Sequence, residues 1–397
     1  MTLRTQALDA ARRVRPTLDE DHWRLGRWRA VRRGRRDLPV LRLGTLPRDR
    51  PTHLVVVPDH GPGTPSWQVA GGNLFYEVHR SAVEVLGEEN VTLLAIEPGT
   101  SPGEWAARLV DVIVSTGATH VIGQVEADPG GDDGWSWDVV GSALARNWDG
   151  ALIGVMYDSA YPWLRVRARR LGRLMPRLLI ADLCVPMSGF VRAGRAEAGP
   201  MTMPFSQESI RAIDDYVRDL DKAYDVTFVG TLYEYRVELL QPLRDLGVNA
   251  VINPHRPDAP TDAESSVGRA SYLDYMAALA RSELTINFSL ARGGPQEQYK
   301  IRVHEAALVG SLCVTDDRDR TRRFYGADAF ATFTDVADLP RVVEECLADR
   351  DRLRERQEAA RARAHVLSRS DFWGRIEQGL AARGLPTLTG LTPPAEP

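Results

Sequence analysis

Tyr299-Lys300-Ile301-Arg302-Val303-His304-Glu305-Ala306-Ala307-Leu308-Val309-Gly310 runs directly into Ser311-Leu312-Cys313-Val314-Thr315, with Gly293, Gly294 and Pro295 just upstream. The pattern predicts a glycine loop, a helix and a strand in succession. A helix starting near Lys300 places Arg302 and Glu305 on one face, because residues three apart are neighbours on a helix. Its first turn presents unsatisfied backbone N–H groups and the positive dipole end to the glycine loop. Such a junction is an anion site, and Lys300 and Arg302 add full charges to it. Glu305, one turn further in, is placed to accept hydrogen bonds from a hydroxylated group such as a ribose. A diphosphate at the helix start and a diol at a carboxylate together describe a nucleotide sugar.

Outward from this stretch the chain alternates short apolar runs with helical patterns. His53-Leu54-Val55-Val56-Val57-Pro58 reads as a buried strand closed by the turn-rich Asp59-His60-Gly61-Pro62-Gly63. Further strands are expected at 91–96, 120–123, 152–157 and 178–185, with helices at 73–86, 104–115 and 138–148 between them. The cycle then restarts with strands at 224–229, 248–253, 284–288, 312–315 and 329–333 and helices at 235–246, 272–281, 339–349 and 352–365. Continuous apolar strands separated by helices specify parallel sheets covered on both faces. The organisation read from this is a basic arm (1–48), a first Rossmann-like domain (49–205), a linker (206–221) and a second Rossmann-like domain (222–366). A C-terminal helix (367–385) and a disordered Pro- and Thr-rich tail (386–397) complete it. The fold class is α/β, two facing Rossmann-like domains.

A chain of 397 residues is long enough for two such domains, each with a core of its own. Its 43% apolar and 26% charged residues are those of a soluble globular protein. No apolar run reaches bilayer-spanning length and the N-terminus lacks a secretory h-region, so a cytoplasmic protein is expected. Cys184, Cys313 and Cys346 show no metal-ligand spacing and read as buried reduced thiols. Lys222 and Lys300 are the only lysines, an arginine bias that discounts arginine counts as evidence for nucleic-acid binding. The net charge of −4 is unevenly spread: the first 50 residues carry fourteen arginines against six acids. That arm, with Trp23 and Trp28 interleaved, suits anionic headgroups or a phosphorylated acceptor, while packing on the first domain is the plainer reading.

Three pieces of the second unit, in order, resemble the donor-binding domain of GT-B glycosyltransferases, in particular the group-1-like subset that includes CgeB-type spore proteins. Tyr224-Asp225-Val226-Thr227-Phe228-Val229-Gly230-Thr231, with Arg236 following, is similar to the family's "DvsFvGs…R" opening. Leu284-Thr285-Ile286-Asn287-Phe288-Ser289 is similar to its "iNl" strand. Lys300-Ile301-Arg302-Val303-His304-Glu305 with Gly310 is similar to "RvfE…G". The resemblance implies that Lys300 and Arg302 neutralise the donor diphosphate and that Glu305 binds the donor ribose. Gly230 allows close backbone approach, and Thr231, Arg236, Ser289, Gly293 and Gly294 complete the donor site. It further implies transfer of a sugar from a nucleotide donor, UDP being the family-frequent base, with no metal and no other cofactor.

The chain departs from the pattern at His304, where an aromatic residue is common, and it lacks the E-x7-E motif of many retaining members. Asp132-Asp133 lies in a glycine-rich stretch and reads as a solvated turn, not a metal site. An inverting reaction needs a base for the acceptor hydroxyl, which the resemblance places on the first domain, where His60 and Asp59 after the first strand and Asp158 after the 152–157 strand are the candidates. Gly61, Gly63, Gly71 and Gly72 serve equally as ligand-approach or turn residues. The acceptor class stays open between small molecule, lipid-linked species and protein, and no specific nucleic acid is expected. Two alternatives share the fold: a nucleotide-sugar 2-epimerase, and a non-catalytic binding protein working through the basic arm.

Overall fold

The computed structural model describes residues 51–395 apart from 59–63, 70–72, 98, 127–135, 158, 160–161, 184–196, 231–233, 245, 247, 253–270, 290–298, 317 and 389. Before residue 51 it describes Arg32 alone, so the basic arm, Asp132-Asp133 and Cys184 lie outside the described residues. Cys313 and Cys346 are buried and form no disulfide among the described residues.

The first sheet holds β1 (Leu54–Val57), β2 (Val91–Leu93), β3 (His120–Gln124), β4 (Ala151–Met156), β5 (Leu178–Asp182) and β6 (Glu197–Ala198), in the order β2-β1-β3-β4-β5-β6. All its pairings are parallel. Leu54 and Val56 join the core on one face and Val55 and Val57 the core on the other, which is why β1 reads as an unbroken apolar run. Helices α1 (Leu74–Leu86), α2 (Pro102–Thr116), α3 (Ser136–Asn147) and α4 (Pro162–Leu174) connect these strands. Ser101 starts α2 with a reciprocal capping box to Glu104, followed by Pro102, and Gly117 ends it in the left-handed region.

The second sheet, β11-β10-β9-β7-β8, is also parallel, built from β7 (Tyr224–Phe228), β8 (Ala250–Ile252), β9 (Ser282–Asn287), β10 (Leu312–Thr315) and β11 (Ala331–Thr332). Its helices are α6 (Glu234–Arg244), α7 (Tyr272–Ala280), α8 (Ile301–Leu308), α9 (Arg318–Tyr325) and α10 (Leu339–Ala348). Helix α5 (Gln207–Val217) precedes it, in the segment expected as a linker. Ser206 caps α5 through Ser209 N–H at 3.2 Å. The carboxylate of Glu77, on α1, in turn accepts from Ser206 N–H at 2.8 Å and from the Ser209 hydroxyl. The start of the linker helix is therefore fixed to the first domain by a fully buried acid.

Two expectations are corrected at the C-terminus. The helices expected over 352–365 and in the C-terminal segment 367–385 are one 33-residue helix, α11 (Arg350–Ala382). Ala360, Ala364 and Leu367 pack into the core of the second domain, and Phe372, Trp373, Ile376 and Leu380 into that of the first. Ser368-Arg369-Ser370-Asp371 has the look of a capping sequence, yet no Gly or Pro interrupts the turn. The helix runs through because Asp371 finds its partners in Arg375, one turn on, and in Thr202.

The tail expected to be disordered is packed where it is described. Leu388 and Gly390 N–H donate to Glu377 at 2.7 and 2.9 Å, and Pro386 C=O lies 2.8 Å from His120 Nε2. A Cβ at Gly374 would strike Pro393. Proline and threonine gave no apolar period to read, but a run without periodicity can still dock through its backbone.

Candidate functional site

In parallel sheets, ligands bind beyond the carboxyl ends of the strands. At that edge of the second sheet, β7 leads into Phe228, Val229 and Gly230, β9 into Phe288 and Ser289, and β10 into Asp316. Helix α8 returns from this edge to β10, so its N-terminus stands there. Lys300 is its N-cap in extended backbone and contributes no side-chain cap, while its C=O accepts from Val303 N–H at 3.1 Å.

Arg302, in the first turn of α8, lays its guanidinium over the Phe228 ring, 4.9 Å from the centroid. Arg236, from α6, approaches the same ring at 5.7 Å. Two cations thus converge on one aromatic ring at the end of β7. Gly230 has φ +153°, and a Cβ there would collide with the Arg302 guanidinium. The close approach expected at Gly230 is therefore made by an arginine of the same domain. The buried Nε of Arg302 has no hydrogen-bond partner among the described residues.

Ser289 is buried, its N–H donates to Asp316 Oδ1 at 2.6 Å, and its hydroxyl has no partner among the described residues. The same holds for the amide oxygen of Asn287, whose Nδ2 donates to Thr315 Oγ1 at 2.9 Å. Buried polar atoms of this kind are uncommon in native proteins. Here three of them, from Arg302, Asn287 and Ser289, belong to residues at one sheet edge.

Glu305 lies one turn deeper on α8, buried to 5% exposure. Its Oε1 accepts from Tyr272 Oη at 2.7 Å and its Oε2 from Tyr275 Oη at 2.7 Å. Burial raises its pKa, while the two phenols and the nearby Arg302 charge act to lower it. The two tyrosines, three apart on α7, escaped the sequence reading. Their spacing on one helix face was the available signal, but apolar neighbours made it look like ordinary core.

His304 faces the other way. Its ring stacks on Phe205 at 5.4 Å, Nδ1 meets Tyr325 Oη at 2.6 Å and Nε2 meets Ser368 Oγ at 2.8 Å. It fills the aromatic position of the family pattern and ties α8 to α9 and α11. Burial drives its pKa down to about 3, and that of His120 down to about 4. Both histidines are neutral when folded but accept a proton near pH 6.5 when unfolded. Their contribution to stability is complete above that pH and is lost as pH falls towards 4. Buried acids with raised pKa, such as Glu77 and Asp371, act in the opposite direction. The test is therefore differential: His304→Phe should be less stable than the parent at pH 7.5 and lose less further stability between pH 7 and 5 in thermal melts.

Asp59, His60, Asp158, Thr231, Gly293 and Gly294 lie outside the described residues, as do Gly61, Gly63, Gly71 and Gly72. Around Asp158 the end of β4 is well held: Tyr157 N–H donates to Glu126 Oε2 and the Ser159 hydroxyl to Asp182 Oδ1, both at 2.8 Å. Of the expected donor residues, the structure gathers Gly230, Arg236 and Arg302 around Phe228. Lys300 and Glu305 sit on the same helix as Arg302, and Ser289 on the neighbouring strand end.

Two parallel α/β units, a long helix crossing back from the second to the first, and a cationic sheet edge in the second unit give the chain a GT-B fold. Residues 231–381 match the family model described as glycosyl transferase-like. No curated protein sequence matches the chain. Among solved structures, Anabaena Alr3699/HepE in complex with UDP-glucose is similar at 12% identity and a TM-score of 0.52, over 83% of this chain and 99% of that one. Sucrose-phosphate synthase (tll1590) from Thermosynechococcus elongatus is similar at 12% identity and 0.51, over 84% and 98%. An alpha-glucosyltransferase in complex with UDP and a mismatched 13-mer DNA is similar at 10% identity and 0.50, over 84% and 99%. These likenesses show the fold. No helix among the described residues is long and apolar enough to cross a membrane.

Proposed function

We propose that the chain transfers a glycosyl group from a UDP-sugar to a small-molecule, lipid-linked or protein acceptor in the cytoplasm, without a metal. The observation that carries this reading is Arg302 at the head of α8, next to an N-cap, Lys300, that makes no side-chain cap, with Glu305 one turn deeper. The reaction breaks the bond from the anomeric carbon to the diphosphate through an oxocarbenium-like transition state. Negative charge then grows on the leaving diphosphate. Fixed cations and helix-start N–H groups stabilise it without reorganising, a role that Arg302, Lys300 and α8 fit. UDP is favoured as the base because fold neighbours at comparable similarity carry UDP or UDP-glucose.

Calorimetry with UDP, GDP, dTDP and ADP tests the reading. UDP should bind preferentially, and with equal affinity in EDTA and in magnesium. Binding seen only with a divalent ion would refute the metal-free part, and no diphosphate binding at all would refute the whole. Incubation with UDP-sugar alone should leave the sugar configuration unchanged, whereas an epimerase would isomerise it.

A further inference from the structure

Glu305 is a carboxylate held inside a protein interior by two phenols. Burying a carboxylate is costly unless hydrogen bonds compensate, and an apolar residue would fill the same space more cheaply. Tyr272 and Tyr275 stand on one face of α7, their rings stacked with centroids 5.7 Å apart and an interplanar angle of 27°. They donate to different oxygens of the same carboxylate, so the Glu305 side chain is pinned at both oxygens. A free glutamate side chain holds substantial rotamer entropy, which this pair removes in advance. Tyr272 is 3% exposed, but Tyr275 is only half-buried and feels the Arg302 charge, which places this side of the clamp beside the cationic edge. A carboxylate offers about four lone-pair directions, and the two phenols use two of them. One remains on each oxygen, the spacing that suits two adjacent hydroxyl groups.

We infer that Tyr272 and Tyr275 are positioning residues that lock Glu305 to read a vicinal ribose diol, and so set the preference for ribonucleotide over deoxyribonucleotide donors. The inference rests on the proposed donor reading and adds to it the residues that determine its sugar specificity. A site with pre-oriented polar groups rejects an analogue lacking a hydroxyl because its buried partner is left unpaired. A carboxylate free to rotate would turn to another partner and reject it weakly.

The experiment compares binding of UDP, 2′-deoxy-UDP and 3′-deoxy-UDP by calorimetry in the parent, Glu305→Gln, Tyr272→Phe and Tyr275→Phe proteins. The parent should prefer UDP by roughly tenfold to 150-fold, the range for a hydrogen bond to a charged group. Each Phe variant should lose most of that preference chiefly by binding UDP less well, with deoxy-nucleotide affinity little changed. A purely structural role for the phenols would weaken all three ligands together and leave the ratio intact, which would overturn the inference. Tyr275→Phe, at the half-buried position, gives the decisive ratio should Tyr272→Phe fail to fold. The two levels separate cleanly: a parent that binds no UDP refutes the donor reading itself. Loss of preference in Glu305→Gln but not in the Phe variants refutes only the role of the tyrosines.

Discussion

Arg302→Ala is expected to bind UDP roughly tenfold to 150-fold more weakly than the parent, about 1.5–3 kcal/mol for loss of a charge-assisted contact. The fold should survive, because what Arg302 gives the free protein is modest. Its guanidinium rests on Phe228 at 4.9 Å, a contact of about 0.5–1 kcal/mol near a surface, and interacts with Tyr275 and Glu305, while its buried Nε has no partner among the described residues. Thermal melts of the variant should therefore stay close to those of the parent while calorimetric affinity falls. Gly230→Ala supplies the independent check. It leaves every charge in place but puts a methyl group where the Arg302 guanidinium lies, at a backbone angle that side chains rarely adopt. Displacement of Arg302 in Gly230→Ala should reproduce most of the affinity loss. Unchanged UDP affinity in both variants would show that the diphosphate is held elsewhere.

The two-unit α/β architecture was legible because both sheets are parallel and covered on each face. Each strand then appears as an apolar run such as Leu54–Val57 or Leu312–Thr315, which needs no partner to be recognised. Helices α4 and α9 were not legible. Arg165, Arg167, Arg169, Arg170 and Arg173 crowd the first, and Arg318, Arg320, Arg322 and Arg323 the second, so the apolar period is broken. Tertiary partners compensate: Arg170 pairs with Asp138 at 2.9 Å, and Arg167 donates to Glu126 C=O at 2.7 Å. In the candidate site, the residues legible in the sequence were those carried by a motif, on α8 and at the ends of β7 and β9, and those outside any motif were not legible. Lys300, Arg302 and Glu305 share one helix, whereas Tyr272, Tyr275 and Asp316 arrive from α7 and the end of β10. Of the two lysines, Lys222 has a legible purpose only in three dimensions. Its ammonium donates to Ser282 C=O at 2.8 Å and Gly310 C=O at 2.7 Å, just past the ends of α7 and α8, where a cation favours both helix dipoles.

Asp371→Ala should destabilise the protein by about 3–5 kcal/mol, the cost of breaking a buried ion pair from one side. Asp371 has no exposed surface and sits where α11 passes from the second domain to the first. One oxygen accepts from Arg375 Nε at 2.7 Å, and the other from Thr202 N–H at 2.7 Å and its hydroxyl at 3.1 Å. Thr202 lies on the segment that leaves the first domain for α5, so a single carboxylate joins both chain crossings between the domains. Alanine leaves the Arg375 charge, only 8% exposed, without its acid, and leaves the Thr202 N–H unmet. Asp371→Asn, which keeps an acceptor but no charge, should fall between the two. Replacing Asp371 and Arg375 together with leucine and methionine should cost less than Asp371→Ala, because the buried guanidinium charge is removed together with its acid. Urea unfolding at pH 7, with hydrogen exchange at the Thr202 amide as a local reporter, ranks the four proteins. A loss below about 1 kcal/mol in Asp371→Ala, with Thr202 still protected, would mean that apolar contacts of Phe372, Trp373 and Ile376 hold the crossing without this tie.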